Sequence, residues 1–305
     1  MSTRTRIALI AAVTFLSAAA LMTPRLLGFH TVPLPRGAQI PYALNDWRQT
    51  LATAVHPGGV DYATLREQRD PLLRFVKAMS THGPKTAPDA FPTEPERLAY
   101  YLNAYNALVL YSVVVHQPPS SIRDVHGLFE PAPGFGFFYA QGFELDGERV
   151  NLYDLENSTI RSLGDARIHA AINCASASCP PLRSDPFHAA RLDAELDAAA
   201  RDWLSNGALR IAPDALELSA IFDWYAEDFE THARALGGED TMDWIDHHLS
   251  GEAQLSFRAA RSAGRPVRFL PYDWSLNRVP SGSATATTAL HIWRAPTRGV
   301  PNDGT

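Results

Sequence analysis

The chain has 305 residues, 46% of them apolar, a formal net charge of −6 and two cysteines. That length and apolar share suffice for one large domain with its own core. The acidic balance, with no Lys/Arg run, excludes a surface built to neutralise phosphates, so no nucleic-acid partner is expected.

In chain order, Arg4 and Arg6 precede an apolar stretch from Ile7 to Met22, with Ala18, Ala19 and Ala20 towards its end. This pattern fits a secretory signal over 1–22, or an uncleaved N-terminal membrane anchor. Either reading puts the remainder outside the cytoplasm, periplasmic or secreted, where disulfides are permitted. Residues 23–42 carry Pro24, Pro33, Pro35 and Pro41 and read as a linker.

Helical spacing begins with Leu44–Ala54 and continues over Tyr62–Met79, with a break at Asp70-Pro71. Thr93 and Glu96 form a T-x-x-E capping box for a helix to about Val115. Asn103 and Asn106 share a face of that apolar helix. Asn is a poor helix former, so two of them there imply a buried hydrogen-bonding task, either tying down irregular backbone or lining a polar pocket. Phe143–Val150 alternates around Asp146-Gly147, a hairpin signal. Asn151 then caps a short helix holding Glu156 and Arg161.

The run from Arg167 to Leu182 holds His169, both cysteines and a Pro180-Pro181 exit. Ile168–Asn173 reads as a strand, whose parity puts His169 beside Arg167 and opposite Cys174. Cys179, beyond the loop, is then the sulfur able to return to the His169 face. Asp185-Pro186 is expected to start a helix to about Leu204. Short strands follow at Leu209–Ile211, Ala215–Leu218 and Val267–Leu270. Helices are expected from Ser219 through Phe229 and from Thr241 to Leu249. Trp274 reads as a core anchor, with Asp273 and Asn277 as turn caps. After Pro280 the small polar composition predicts a disordered tail over 279–305. The fold class expected is α+β: a single, predominantly helical domain over 43–278 with a small antiparallel sheet.

Six segments, in order, resemble the family called domain of unknown function 547. They are Val60-Asp61-Tyr62, Tyr101–Leu108, Leu155-Glu156 with Ile160-Arg161, Asp165 through Pro180, Trp224-Tyr225 with Asp228-Phe229, and Tyr272–Asn277. The family commonly has F-W-x-N where this chain has Tyr100-Tyr101-Leu102-Asn103, and E-H where it has Glu156-Asn157. The resemblance implies a shared fold over about 60–278 and no particular chemistry.

Two functions fit these residues. One is a thiol-dependent hydrolase or transferase acting on amide or ester bonds of the cell envelope. Its nucleophile is Cys179, its base His169 and its orienter Glu156 or an Asn, with Asn103, Asn106 and Arg167 contacting substrate. The other is a non-catalytic envelope domain, stapled by a Cys174–Cys179 disulfide, that binds an envelope protein or a small ligand. The C-x4-C spacing differs from the C-x-x-C of thioredoxin-like pairs. H-E-x-x-H, Walker, G-x-G-x-x-G and G-x-S-x-G patterns are absent, so no metal and no cofactor is expected.

Overall fold

The computed structural model describes residues 32–34, 40–125 and 133–279. The signal or anchor over 1–22, most of the linker and nearly all of the C-terminal tail lie outside the described residues.

Helix α1 (Leu44–Ala54) runs into a two-residue hairpin, β1 (Val55–His56) with β2 (Gly59–Val60). Helices α2 (Tyr62–Glu67) and α3 (Asp70–Met79) follow, separated where Asp70-Pro71 predicts. The longest helix, α4 (Glu94–His116), carries the Thr93/Glu96 capping box and is buried almost continuously from Leu98 to Val114. It is long and apolar enough to cross a membrane, yet here it is the core helix around which the other elements pack. After a short α5 (Phe135–Phe138), β3 (Phe143–Leu145) and β4 (Glu148–Val150) pair antiparallel, Phe143 opposite Val150. Asp146 and Gly147 turn that hairpin at φ 53° and 75°. The Asp146 carboxylate accepts from the backbone of Lys85 and Thr86, fastening the turn to the preceding loop.

Asn151 caps α6 (Leu152–Asp154) through the Asp154 N–H, and the helix continues as a π-helical turn over Leu155–Ile160. Next come α7 (Ile168–Ala171) and α8 (Leu192–Trp203). Strands β5 (Leu209–Ile211), β6 (Leu216–Leu218) and β7 (Val267–Phe269) form one sheet, with β5–β6 antiparallel and β6–β7 parallel. Between β6 and β7 lie α9 (Ile221–Trp224), α10 (Ala226–Ala235), α11 (Thr241–His248) and α12 (Gly251–Ser262). The fold is α+β and dominated by helix, as the sequence implies.

Three expectations are corrected. Ile168–Asn173 is not a strand but the helical turn α7. The backbone groups a neighbouring strand would have taken are held by Asn106, whose Nδ2 donates to Ala171 O and whose Oδ1 accepts from Asn173 N. The helix expected from Asp185-Pro186 starts at Leu192. Asn103 takes both backbone groups of Phe187, which holds that segment out of helix, and the Asp185 carboxylate binds Arg48 and Arg191 instead of capping. Trp274 is only partly buried, and Leu276 is the buried residue of its motif. Helix α12 is an element the sequence reading did not contain.

Among the described residues, two apolar clusters make up the interior. One is built around α4 with Trp47, Phe75, Tyr105 and Phe187, and the other around Trp203, Phe222, Phe229 and Trp244. Segment 166–172 belongs to both, Ile168 and Ile172 packing into the first and Ala166 and Ala170 into the second. The C-terminal strap, residues 271–279, crosses back over this seam. It hydrogen-bonds Val60, Ser120, Ala175 and Ala177 through its backbone.

Candidate active site

A cavity of about 250 Å³ opens at the seam. Its floor is Tyr105, Glu156, His169, Ile172, Cys174 and Cys179. One wall is aromatic from the strap and α9: Trp224, Tyr272 and Trp274, with centroids 4.6–5.8 Å apart. The facing wall stacks Phe135 on Tyr139 and Tyr139 on Tyr153. Apolar walls with a few converging polar groups are the usual make-up of a small-ligand site.

His169 is 3% exposed, and the helical turn carries its ring to Asp228 on α10, with Nε2 2.8 Å from Oδ2. Arg161 grips the same carboxylate with two hydrogen bonds of 2.7 and 2.9 Å. The ring stacks on Tyr225 at 4.1 Å and leans on Phe229. Burial pushes the Asp228 carboxyl up, but hydrogen bonds from His169 and Arg161, and their charges, outweigh it and hold it well below the usual range. A permanent carboxylate thus fixes one imidazole nitrogen. The other has no hydrogen-bond partner among the described residues.

Glu156 projects from the π turn into the same floor, and widened turns of this kind recur at functional sites. It is held by two phenols: Tyr105 donates to one oxygen at 2.9 Å and Tyr225 to the other at 2.7 Å. Burial, and the Glu156 charge after it, raise the pKa of both phenols, so both stay protonated and keep donating. Glu156 therefore does not orient His169; Asp228 does, a residue sequence spacing could not nominate from 59 positions away.

Cys174 and Cys179 form a disulfide with Cα atoms 6.3 Å apart, and both line the cavity. The parity argument that set Cys174 on the opposite face from His169 falls with the strand. The thiol chemistry expected of Cys179 needs the bridge opened. Tyr272, which the sequence reading did not single out for chemistry, donates to Cys179 Sγ at 3.2 Å.

The expected substrate-binding residues lie elsewhere. Asn103 is consumed by Trp47 and Phe187, and Asn106 by Ala171 and Asn173, so both are backbone ties. Arg167 turns away from His169 into Asp165, Asp193 and Asp197. Asp185, His188 and Glu195 bring ligand atoms within 4.8 Å of one another, a spacing a cation could use. Arg48 and Arg191 already contact that cluster, and Arg183 lies close to Glu195, so it is a charge-compensated network tying α1 to α8.

A model of the family described as "Protein of unknown function, DUF547" matches residues 89–204. Over that segment the chain is similar to the family, in line with the motifs its sequence carries. The segment supplies Tyr105, Glu156, His169 and both cysteines to the cavity, while Tyr225 and Tyr272 come from beyond it, as does Asp228, which holds His169. No curated protein and no solved structure matches the chain.

Proposed function

We propose that the chain is an exported cell-envelope protein whose cavity, with its disulfide opened, transfers acyl groups from amide or ester substrates. The observation that carries this reading is His169, fixed through Nε2 by the Asp228–Arg161 pair and sharing the cavity floor with both sulfurs. Cys179, His169 and Asp228 are the residue types that covalent acyl transfer uses as nucleophile, base and orienter.

In the proposed cycle His169 removes the Cys179 thiol proton, and the thiolate adds to the substrate carbonyl carbon. The tetrahedral adduct collapses, the C–N or C–O bond breaks, and His169 passes its proton to the leaving amine or alcohol. Water or an acceptor amine, deprotonated by His169, then releases the acyl group from sulfur. The aromatic walls select an apolar or ring-bearing substrate. With the bridge closed no thiol is free, and the second reading is that the same cavity then serves as a binding site. The signal-like N-terminus supports placement outside the cytoplasm, with an envelope protein or a small ligand as partner.

The test is to expose the reduced protein to p-nitrophenyl acetate and map acetylation by mass spectrometry. The reading expects a p-nitrophenol burst with an acetyl group on Cys179. It also expects turnover to fall by at least about 100-fold in His169→Ala, the range general-base catalysis supplies. No burst, or acetylation confined to surface lysines, contradicts it.

A further inference from the structure

Hydrogen-bond donors are distributed unevenly over the two sulfurs. Cys179 Sγ accepts from the backbone N–H of Cys174 at 3.0 Å and from the Tyr272 hydroxyl at 3.2 Å. Ser176 donates to the Tyr272 oxygen at 2.9 Å, so the Tyr272 proton is free to point at sulfur. The two hydroxyls reach both sulfurs, Ser176 Oγ at 3.0 Å from Cys174 Sγ and 3.4 Å from Cys179 Sγ, and Tyr272 at 3.4 and 3.2 Å, but the backbone N–H, fixed in direction, reaches Cys179 Sγ, and none reaches Cys174 Sγ among the described residues. A fixed backbone donor, with the Tyr272 hydroxyl nearer to the same sulfur, stabilises the Cys179 anion, and a disulfide breaks towards the sulfur that leaves as the better thiolate.

We propose that Cys174–Cys179 is an exchangeable, redox-active disulfide whose substrate is an apolar, ring-bearing thiol seated between the aromatic walls. The inference does not rest on acyl transfer, because exchange at the closed bridge needs no base. The incoming thiolate attacks Cys174 Sγ along the S–S axis. The sulfur–sulfur bond breaks, its electron pair leaves on Cys179, and a mixed disulfide joins Cys174 to the substrate. A second thiolate attacks the substrate sulfur of that adduct. The substrate disulfide departs, and Cys174 and Cys179 end as thiols carrying the two protons of the two substrate thiols. Two electrons pass from substrate to protein, and in reverse the dithiol reduces a disulfide of the same class.

Ligand shape and thiol chemistry both point to this site. The two sulfurs lie on the floor of an apolar cavity, flanked by Trp224 and Trp274 on one side and Tyr139 and Tyr153 on the other. A structural staple needs neither an aromatic approach nor donors aimed at one of its sulfurs.

The experiment uses the oxidised chain with benzyl mercaptan or reduced glutathione at matched thiolate concentration. Acid quenching and alkylation precede mass spectrometry of the adducts. Benzyl mercaptan should open the bridge at least about tenfold faster than glutathione, with the benzylthio adduct on Cys174 and the alkylated thiol on Cys179. Tyr272→Phe, checked for fold by circular dichroism, should slow opening about tenfold through loss of one charge-assisted hydrogen bond. If that variant does not fold, the adduct position in the wild-type chain decides. Adducts on Cys179, equal rates for the two thiols, or a folded Tyr272→Phe chain that opens as fast as wild type would overturn the proposal.

Discussion

Asn103 and Asn106 lie three positions apart on α4, and each holds a stretch of backbone that has no ladder to join. Asn106 matters more to the site, because the peptide groups it binds flank Ile172, two residues before Cys174. Replacing it with Ala leaves a buried carbonyl and a buried N–H unpaired. Asn106→Ala should therefore lower unfolding free energy by about 2–4 kcal/mol in urea titrations, several-fold more than Asn206→Ala at an exposed position. The need for a buried polar task at Asn106 was legible in the sequence, since Asn is costly inside an apolar helix. What it would hold was not, because a side-chain clamp on a remote loop leaves no periodicity. The same limit hid Asp228 and Tyr272, whose partners are 59 and 93 positions away.

Short elements position the chemistry. The hairpin of β1 and β2 is where the strap closes, and Gly59 is the contact: at φ +146°, an added Cβ would sit 2.4 Å from Asn277 O and 2.9 Å from Arg278 C. Gly59→Ala must displace backbone on one side or the other. It should cost about 2 kcal/mol or more and loosen the strap that carries Tyr272 and Trp274. Faster proteolytic cleavage within 271–279, at temperatures where the rest of the chain stays folded, is the readout. At this scale the strong local signals, such as the Thr93/Glu96 box, the Asp146-Gly147 turn and the Asn151 cap, found their elements. The weak ones failed where tertiary hydrogen bonds outbid local preference: the six-residue run Ile168–Asn173, read as strand, became α7 over its first four residues, and Asp185-Pro186 started nothing. Helix α12 went unread because Ser250-Gly251 looks like a turn and Gly251 does adopt φ +59°.

Across the whole molecule, two apolar clusters meet at segment 166–172, and the cavity is the gap where they join. His248 on α11 sits in the second cluster, 3% exposed and packed on Trp244 at 4.1 Å. Burial pushes its pKa down to about 4 from 6.5, with His247 and Arg167 adding to the effect while the Trp244 carbonyl and Asp197 oppose it. The unfolded chain takes a proton there below pH 6.5 and the folded chain only near pH 4. Stability is therefore present above the higher value and is lost as pH falls between the two. His232, also pushed down by burial, adds to the same slope. His248→Gln should flatten the stability profile between pH 6.5 and 4, measured by urea unfolding at each pH.

Activation of one sulfur is common to both chemistries argued for the cavity. The rate of iodoacetamide alkylation at each cysteine of the reduced chain, followed by mass spectrometry from pH 4 to pH 9, tests it most directly. The account predicts that Cys179 reacts with a midpoint well below an ordinary thiol's value of about 8.5, that Cys174 titrates near that value, and that Tyr272→Phe moves the Cys179 midpoint up. Two cysteines titrating together near the ordinary value, unmoved by the substitution, would contradict it.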